Sequence, residues 1–379
     1  MVNGRWRSVT IVASPVIPAH GGACIDGIVP AVLGHIDGKP LPAWTPALVG
    51  SARQVVLLVL DGLGWEQLQA RIALAPTLAS MTGGPITSVA PTTTATALTS
   101  IVTGCAPAEH GVVGYRVHVG DGAVMNVLRW ETETGDARDA VPPELFQHEP
   151  AFGGRSVPAV IRAEFLSTGF TRAFLRGARL KGWRVPSTLV VEVAQLLRGG
   201  EPFVYAYYDG IDRVAHQYGM GEHYDAELRT VDRLVADVAE ALPPGAALLV
   251  TADHGQVDVG QAVVTLDTDL AALTVLLSGE GRFRWLHARP GAAAEVAAGA
   301  RELYGHRAWV HTRDELEAAG WYGGPLSPAA AARLGDVALV PFEAIAFLDP
   351  GDTGEVTLVS RHGSLTSAEV LVPLVALAR

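Results

Sequence analysis

An uninterrupted apolar segment, Gln54–Leu60, constrains the fold of this chain more than any other feature. After the glutamine it reads Val-Val-Leu-Leu-Val-Leu, and Asp61 and Gly62 follow at once. A strand that is apolar on both faces is typical of a parallel sheet covered by helices, because a sheet with one face in water alternates polar and apolar residues. The segment therefore predicts an interior strand of an α/β fold.

Two further segments repeat this pattern. Phe203–Tyr208 is followed by Asp209, and Ala246–Thr251 is followed two residues later by Asp253. Helical periodicity separates the strands, in residues 94–103, 185–197 and 223–242. Alternating strands and helices predict an α/β fold with a central, mostly parallel sheet sandwiched by helices.

Two segments depart from this alternation. Residues 105–155 are rich in Gly, Pro and charge, with one strand-like piece at Ala123–Trp130, and we expect them to cross the active-site face. Residues 262–350 read as an insertion in which a strand (282–287), a helix (292–304) and a strand (308–311) form a small α+β lid subdomain. We therefore expect a catalytic core in residues 1–261 and 351–379, and a terminal helix beginning within 364–369.

Composition narrows the function. Acidic residues outnumber basic residues by 39 to 28, a net charge of −11, whereas surfaces that bind nucleic acid are usually basic. The two cysteines, Cys24 and Cys105, are too few for a disulfide framework or a four-cysteine zinc site. The first residues show no sustained apolar stretch behind a basic start, and no long apolar run suggests a membrane span. We expect a protein of the cytoplasm, without nucleic-acid or membrane partners.

Acidic residues and histidines follow the predicted strands. Ligands bind at the carboxyl ends of strands in open α/β sheets, so these side chains should meet at one edge. Asp212 and His216 are spaced i, i+4, which places both on one side of a helical turn, and both are suitable zinc ligands. A helix N-cap and a surface histidine would give the same pattern. Asp209 is the competing carboxylate, but it lies seven residues from His216, so we prefer Asp212.

The threonine-rich segment Pro91–Gly104 offers a nucleophile. It could be an ordinary capped helix start, since threonine is a fair N-cap. It could instead place a hydroxyl where helix amides and the macrodipole favour an anion. The residues alone do not distinguish among four candidates, Thr92, Thr93, Thr94 and Thr96.

Six short segments occur in a specific order along most of the chain. They are Val59–Gly62, Pro91–Thr94 with Thr103-Gly104 after it, Pro107–Gly111, Asp212–Gly219, Thr251–Gly255 and His362-Gly363. The ordered set resembles the alkaline phosphatase superfamily, and most closely its type I phosphodiesterase/nucleotide pyrophosphatase branch. In that branch the nucleophile lies ten residues before the glycine of a Val-Thr-Gly segment, so the resemblance implies Thr94.

The resemblance also implies two metal ions. One would be held by Asp212, His216 and His362, and the other by Asp61, Asp253 and His254, with Thr94 as a further ligand that bridges toward the second. The resemblance likewise implies an alkaline-phosphatase-like fold for the α/β core. The family normally uses zinc, which suits mixed Asp and His ligands, as do manganese and cobalt. Without the resemblance, His362 would read as a surface histidine in a loop. We interpret His110, which also matches a family histidine, as a supporting residue rather than a ligand.

One position departs from the family pattern. Phosphodiesterases of this branch often carry an Asn a few residues after the His-Gly that corresponds to His110-Gly111, where it donates to a phosphate oxygen. Tyr115 occupies about that position here. We predict Tyr115 and Arg116 as substrate-binding residues, although Tyr115 could simply pack and Arg116 could face solvent.

The implied reaction has two steps, attack of Thr94 on phosphorus and hydrolysis of the resulting phosphothreonine. A phosphodiester or nucleotide pyrophosphate is the expected substrate. A phosphate monoester carries one more anionic oxygen, and a chain with only two lysines could hold it mainly with arginines such as Arg116 or Arg155. Phosphonate hydrolysis is a further alternative. A non-catalytic phosphate-binding protein is less consistent with seven site residues all being present, and a sulfatase would need Cys or Ser in place of Thr94.

Overall fold

The computed structural model describes residues 14–379 apart from positions 353, 355 and 356. The strands are β1 (Gln54–Leu60), β2 (Thr82–Thr87), β3 (Arg116–His118), β4 (Val124–Asn126), β5 (Glu131–Thr132), β6 (Gly135–Asp136), β7 (Pro158–Arg162), β8 (Arg179–Trp183), β9 (Phe203–Tyr208), β10 (Ala246–Thr251), β11 (Val257–Asp258), β12 (Val263–Val264), β13 (Thr274–Glu280), β14 (Phe283–Ala288), β15 (Ala308–Thr312), β16 (Val337–Pro341), β17 (Ala346–Phe347), β18 (Ser360–Arg361) and β19 (Leu371–Ala378). The α-helices are α1 (Ile28–Ile36), α2 (Trp65–Ala70), α3 (Pro76–Ser80), α4 (Thr94–Thr103), α5 (Pro107–His110), α6 (Pro143–Phe146), α7 (Gly169–Phe174), α8 (Pro186–Arg198), α9 (Gly210–Tyr218), α10 (Glu222–Glu240), α11 (Thr268–Ala272), α12 (Ala293–Tyr304), α13 (Arg313–Ala318), α14 (Pro328–Ala332) and α15 (Ser367–Val370).

Seven strands form the central sheet, in the order β2-β19-β10-β1-β9-β7-β8. The five strands from β10 to β8 are parallel, and β19 runs antiparallel to both β10 and β2. All of β9 and β10, and every residue of β1 after Gln54, is buried. Burial on both faces explains the uninterrupted apolar character of these strands and confirms the predicted α/β class.

Helix α10 shows how the covering helices attach. Its apolar residues recur every three or four positions, and the buried ones include Leu228, Val231, Leu234, Val235 and Val238. This spacing places them along one face, which packs toward the sheet. Most charged residues of α10 lie away from this face, but Asp232 is buried and accepts from the amides of Thr77 and Leu78. No helix in the described part of the chain has both the length and the apolar character needed to span a bilayer.

A helix does begin within residues 364–369, as predicted, but the prediction that it forms the end of the chain is wrong. The chain forms only the short helix α15 at Ser367–Val370, and then enters the central sheet as β19. The reason is that Leu371–Ala378 is apolar on both faces and lies between two strands, where a helix would leave the neighbouring edges unpaired.

Residues between β12 and β17 have a hydrophobic cluster of their own. β12 and β17 pair in parallel where the chain enters and leaves this segment. Between them β13, β14, β16 and β15 form an antiparallel sheet, and a second cluster of buried apolar residues draws only on residues 264–347. The expected strand-helix-strand is β14, α12 and β15, with β16 between the two strands. We refer to the residues from β12 to β17 as the inserted unit. The boundaries at residues 262 and 350 stay a prediction.

Residues 105–155 contain four short strands, β3 to β6, in a sheet of their own. The predicted strand over Ala123–Trp130 is wrong in its length, because β4 ends at Asn126. The chain turns there: the Trp130 amide donates to the Asn126 carbonyl at 2.7 Å, and Trp130 has a φ of 58°.

A buried ion pair connects the inserted unit with the central core. Arg282 and Glu369 are both fully buried, and the guanidinium donates to the two carboxylate oxygens at 2.7 and 2.8 Å. Glu369 also accepts from the amide of Ser364 at 3.0 Å. The pair therefore joins the β13–β14 turn to the segment that precedes β19.

We predict that Arg282→Met lowers the free energy of unfolding by about 3–5 kcal/mol, because it leaves the Glu369 carboxylate buried without its counter-charge. The double variant Arg282→Met/Glu369→Gln should lose less, since it removes both charges. Urea unfolding followed by circular dichroism measures both. Equal losses of unfolding free energy in the single and double variants would show that the unpaired Glu369 carboxylate is not the cause of the destabilisation.

Candidate active site

Three neighbouring strands, β10, β1 and β9, end at one edge of the sheet, and acidic residues follow each of them. Asp61 directly follows β1, Asp253 lies just after β10, and Asp212 lies in the first turn of α9, after β9. The Asp212 amide donates to the Asp61 carbonyl at 3.1 Å, and the Gly62 amide donates to Asp253 Oδ1 at 3.1 Å. The structure thus brings the predicted strand-end carboxylates together.

Asp212, His216 and His362 form one cluster, with ligand atoms that all lie within 4.8 Å of one another. His216 Nε2 is 3.2 Å from Asp212 Oδ1, as the i, i+4 spacing on α9 predicts. His362 Nε2 approaches the same oxygen at 3.9 Å, although it lies 150 residues further along the chain. Asp209 is in neither cluster and instead accepts from Arg162 at 2.9 Å.

Asp61, Asp253 and His254 lie beside this cluster. His254 Nε2 is 3.5 Å from both Asp61 Oδ1 and Asp253 Oδ2. Asp61, Asp212 and His254 also have ligand atoms within 4.8 Å of one another, so Asp212 lies between the two groups. All six residues predicted to bind metal are therefore gathered at one edge of the sheet.

The carboxylates of this edge are buried close together. Burial, and then the charges of Asp253 and Asp212, raise the pKa of Asp61, against a smaller lowering by the Tyr207 hydroxyl that donates to it. Burial likewise raises the pKa of Asp212. Asp61 Oδ1 and Asp253 Oδ2 are buried and have no hydrogen-bond partner within the described residues. Buried oxygens without donors fit cation binding, because divalent ions supply the missing positive charge.

The three imidazoles share one arrangement. Each donates its Nδ1–H to a backbone carbonyl: His216 to Ser360 at 2.7 Å, His254 to Gly255 at 3.1 Å, and His362 to Thr92 at 2.8 Å. Metal-binding histidines are usually oriented by such contacts, which leave Nε2 as the ligand atom. Burial, together with the neighbouring His254 and His216, lowers the pKa of His362, so its imidazole is neutral. The donor set therefore fits a pair of divalent ions.

Thr94 is the first residue of α4, and its hydroxyl faces the carboxylates. Oγ1 lies 3.2 Å from His254 Nε2, and the residue is only 8% exposed. The N-terminal amides of α4 favour an anion at this point. The Thr94 hydroxyl therefore lies at a helix N-terminus and beside His254, one of the residues predicted to bind metal.

The other candidate threonines are placed differently. Thr92 donates to the Ser364 carbonyl at 2.8 Å and accepts from the Gly363 amide at 3.0 Å, which fixes the start of α4 to the His362 segment. Thr96 is fully buried and lines neither of the two cavities described below. Thr93 is the N-cap and lines only the smaller one. The geometry favours Thr94 among the four.

Two cavities meet at Thr94. The larger, of about 710 Å³, has an apolar side, and the smaller, of about 240 Å³, contains His216, His362 and Glu280. Four residues line both of them: Thr94, Leu128, Arg129 and Asp212. The apolar side of the larger cavity is formed by Leu98, Ile161, Phe165, Phe170 and Phe174.

The side chains of Tyr115 and Arg116 lie in different surroundings. Tyr115 lines the smaller cavity, and its hydroxyl accepts from Asn126 Nδ2 at 2.7 Å. Arg116 is buried in an ion pair with Asp349 and lies 3.8 Å from Asp352, and it lines neither cavity. This pairing favours a structural role for Arg116 over the predicted phosphate contact.

Several site residues could not be found from the sequence. The Tyr207 hydroxyl donates to Asp61 Oδ2, and Gln256 Nε2 donates to Asp212 Oδ1 at 2.8 Å. Arg129 lines both cavities from a segment with no recognisable motif. For Tyr207 a signal did exist, because it lies two residues before Asp209 at the end of a predicted strand.

Comparison with known proteins agrees with this architecture. The sequence profile of the type I phosphodiesterase/nucleotide pyrophosphatase family matches residues 55–365. A structure of murine ectonucleotide pyrophosphatase/phosphodiesterase 5, inactive and in complex with AMP, has a TM-score of 0.62 at 16% identity, over 86% of this chain and 88% of that one. Phosphonoacetate hydrolase from Sinorhizobium meliloti, in complex with phosphonoformate, has a TM-score of 0.62 at 20% identity, over 86% and 90%. No curated protein sequence matches the chain.

The chain is of a hydrolytic class: the matching profile describes phosphodiesterases and nucleotide pyrophosphatases, and the fold is shared with both compared structures. The matching profile covers more than half of the sequence. The chain therefore belongs to the type I phosphodiesterase/nucleotide pyrophosphatase family, whose members depend on metal ions.

His110 lies beneath α4 and outside both cavities. Its Nε2–H donates to Ser100 Oγ at 2.8 Å, and its Nδ1 accepts from the Val112 amide at 3.0 Å. Burial, and then the charge of Arg333, lower its pKa to about 3. It therefore stays neutral and connects α4 to the turn after α5.

This pKa predicts a pH dependence of stability. The pKa of His110 is about 3 in the folded protein and about 6.5 in the unfolded chain, so near neutral pH the imidazole takes up its proton only on unfolding. The contribution of His110 to the free energy of unfolding therefore falls as the pH drops below about 6.5. Between pH 7 and pH 5 we expect the wild type to lose about 1–2 kcal/mol that His110→Gln does not lose. Urea unfolding at several pH values measures the difference.

The exposed His306 supplies a matched control. His306→Gln should show the same pH dependence as the wild type. A pH dependence for His110→Gln that equals that of the wild type would show that His110 does not remain neutral in the folded protein.

Proposed function

We propose that this chain is a two-metal phosphohydrolase that cleaves phosphodiester or nucleotide pyrophosphate bonds through a phosphothreonine at Thr94. The position of the Thr94 hydroxyl carries this proposal: it lies 3.2 Å from His254 Nε2, at a helix N-terminus, where two cavities meet. A threonine hydroxyl is a weak nucleophile unless a neighbouring group stabilises its deprotonated form. Such groups are the cations for which the surrounding residues provide ligands.

We assign one ion to Asp61, Asp253 and His254, and the other to Asp212, His216 and His362. When bound, the ions would supply positive charge that stabilises the Thr94 oxygen, the phosphoryl oxygens and the leaving oxygen. Oxygen and imidazole ligands suit zinc, and they also accept manganese or cobalt. Unused oxygens on Asp61 and Asp253 support the assignment.

The chain's own residues perform the remaining work. Thr94 Oγ1 would attack phosphorus as the bond to the leaving alcohol or phosphate breaks, and water would then cleave the new phosphorus–oxygen bond and restore the hydroxyl. The Tyr207 hydroxyl and the Gln256 amide hold the carboxylates of Asp61 and Asp212 in place. The N-terminus of α4 provides amide donors beside the attacked phosphoryl group.

The larger cavity supports a substrate with an apolar group next to phosphorus. Its apolar side includes Phe170 and Phe174, whose rings stack with centroids 4.3 Å apart. Two of its arginines, Arg162 and Arg213, already face Asp209 at 2.9 and 3.5 Å. Few cationic side chains thus remain for a second anionic oxygen, which favours a diester over a monoester.

Two related activities remain as alternatives. Phosphonate hydrolysis is supported by the likeness of the fold to phosphonoacetate hydrolase. A phosphate monoesterase would need cationic groups beyond those that line the cavities. A non-catalytic phosphate-binding protein is disfavoured, because Thr94 and all six proposed ligands are present and gathered together.

We predict that Thr94→Ala lowers kcat by a factor on the order of 10³ or more while the protein stays folded and keeps its metal, because it removes only the nucleophile. Steady-state rates, circular dichroism and metal analysis test the three parts. Thr103→Ala removes a hydroxyl at the other end of α4 and should keep wild-type rates. Wild-type turnover by Thr94→Ala would exclude a phosphothreonine intermediate.

We predict that the metal-loaded enzyme prefers bis-p-nitrophenyl phosphate over p-nitrophenyl phosphate by about tenfold or more in kcat/KM, because the monoester brings an additional charge that the cavities do not match. Phosphonoacetate serves as the third substrate in the same assay. Preference for the monoester would reject the diesterase assignment, and preference for phosphonoacetate would favour the phosphonate alternative. Loss of all three activities in excess chelator, and recovery with zinc, is expected of a metal-dependent site.

A further inference from the structure

A second group of possible ligands lies near the start of the described chain and shares no residue with the site around Thr94. Its members are His20, Cys24 and Asp26, whose ligand atoms all lie within 4.8 Å of one another. Cys24 pairs by a backbone bridge with Thr87 at the end of β2, and Asp26 lies in the short 3₁₀ turn Ile25–Gly27. We propose that these three side chains bind a divalent cation of borderline softness, such as zinc.

The surroundings of the Asp26 carboxylate indicate that this group lacks a cation. The residue is 5% exposed, and its Oδ1 is buried with no hydrogen-bond partner in the described part of the chain. Its other oxygen, Oδ2, is 2.5 Å from His20 Nδ1, so only a shared proton lies between them. A buried carboxylate oxygen without a donor is unfavourable, and a cation that replaced this proton would contact both oxygens.

The His20 ring is oriented as a ligand. Its Nε2–H faces the Trp321 carbonyl at 3.4 Å, which directs Nδ1 toward Asp26. Metal-binding histidines commonly donate their second N–H to a backbone carbonyl in this way. The contact comes from a residue 301 positions away, so the tertiary fold fixes the ring before any ion is bound.

The Cys24 thiol completes the charge balance. It is fully buried, with Sγ 3.7 Å from the Ser88 carbonyl. A thiol binds a cation as the thiolate, so the ion would displace the thiol proton. One thiolate and one carboxylate would then neutralise a divalent ion, with a neutral imidazole as third ligand. Sulfur, nitrogen and oxygen ligands together suit zinc.

A route for the ion is present. His20 and Asp26 line a cavity of about 680 Å³ that also borders Lys39, Trp44 and Glu109. Water from this cavity can complete a tetrahedral set of four ligands, since three protein ligands and one water are a common zinc arrangement. A buried cysteine beside a simple His–Asp ion pair is the rival explanation, but it leaves Asp26 Oδ1 without a partner.

Cobalt substitution tests the proposal without reference to catalysis. The full-length chain, stripped of metal by chelator and dialysis, is titrated with cobalt chloride and followed in the near ultraviolet, where a thiolate–cobalt bond absorbs. The site around Thr94 contains no cysteine, so cobalt there cannot give this band. Because the site around Thr94 can take up two further ions, we expect the band to reach its plateau by three equivalents of cobalt. The band should disappear in Cys24→Ser and persist in Cys105→Ser, which removes the other cysteine.

A second variant keeps the thiol and guards against a folding defect in Cys24→Ser. Asp26→Asn should weaken the cobalt affinity read from this band by about tenfold or more, because it removes a charged ligand. Zinc analysis should likewise find one ion fewer per chain in Cys24→Ser than in the wild type. Absence of the band in the wild type at saturating cobalt, or its persistence in Cys24→Ser, would overturn the proposal. An inactive enzyme that still showed the Cys24-dependent band would contradict only the function proposed for Thr94.

Discussion

Asp61, Asp253 and Asp212 are three carboxylates buried close together at one edge of the central sheet. Their mutual repulsion must be offset by the groups around them, and this constraint determines how the site is built. Asp61 and Asp253 approach the same imidazole nitrogen of His254 at 3.5 Å each. Donors from the chain reach some of their oxygens, but one oxygen on Asp61 and one on Asp253 have none among the described residues. Uncompensated buried charge is strongly destabilising, and this cost supports the proposal that cations bind here.

Segments distant in sequence hold these groups in place. The His362 imidazole is fixed by the Thr92 carbonyl, and the Thr92 hydroxyl is fixed in turn by Ser364 and Gly363. Glu369 accepts from the Ser364 amide and is itself held by Arg282. The inserted unit is therefore connected to the proposed metal site through a buried ion pair and one loop. Arg282 is thus linked to the loop of His362 through Glu369 and Ser364.

The parts of the fold that depend on local pattern could be predicted from the sequence. Apolar strands ending in acidic residues located β1, β9 and β10 and the edge at which their ligands meet, because burial on both faces leaves a continuous apolar run. The same rule applies to Leu371–Ala378, but without its neighbours in space this run could not be distinguished from a helix. Tertiary pairing decided that segment, and it also placed β16 between β14 and β15.

The site was predictable to a similar degree. The i, i+4 spacing identified Asp212 and His216, whereas His362 and the choice of Thr94 came from the resemblance to a family, because neither has a local signal. Arg116 shows the limit of reasoning from position in a motif. It follows Tyr115 directly, yet its guanidinium turns to Asp349, a residue more than 200 positions away that no local pattern associates with it.

The proposed cation site at His20, Cys24 and Asp26 lies next to the segment that leads to Thr94. This segment, residues 88–93, connects β2 to α4, and its far end is held by the Thr92 contacts with Gly363 and Ser364. Its near end adjoins Cys24, whose thiol donates to the Ser88 carbonyl, while the Ser88 hydroxyl donates to the Asp253 carbonyl. An ion at Cys24 would displace the thiol proton and end its hydrogen bond to Ser88, but it would hold Cys24 beside Thr87, the residue directly before the connection. Fixing both ends would limit the motion of the Thr94 hydroxyl relative to the carboxylates, as the attack proposed for Thr94 would require.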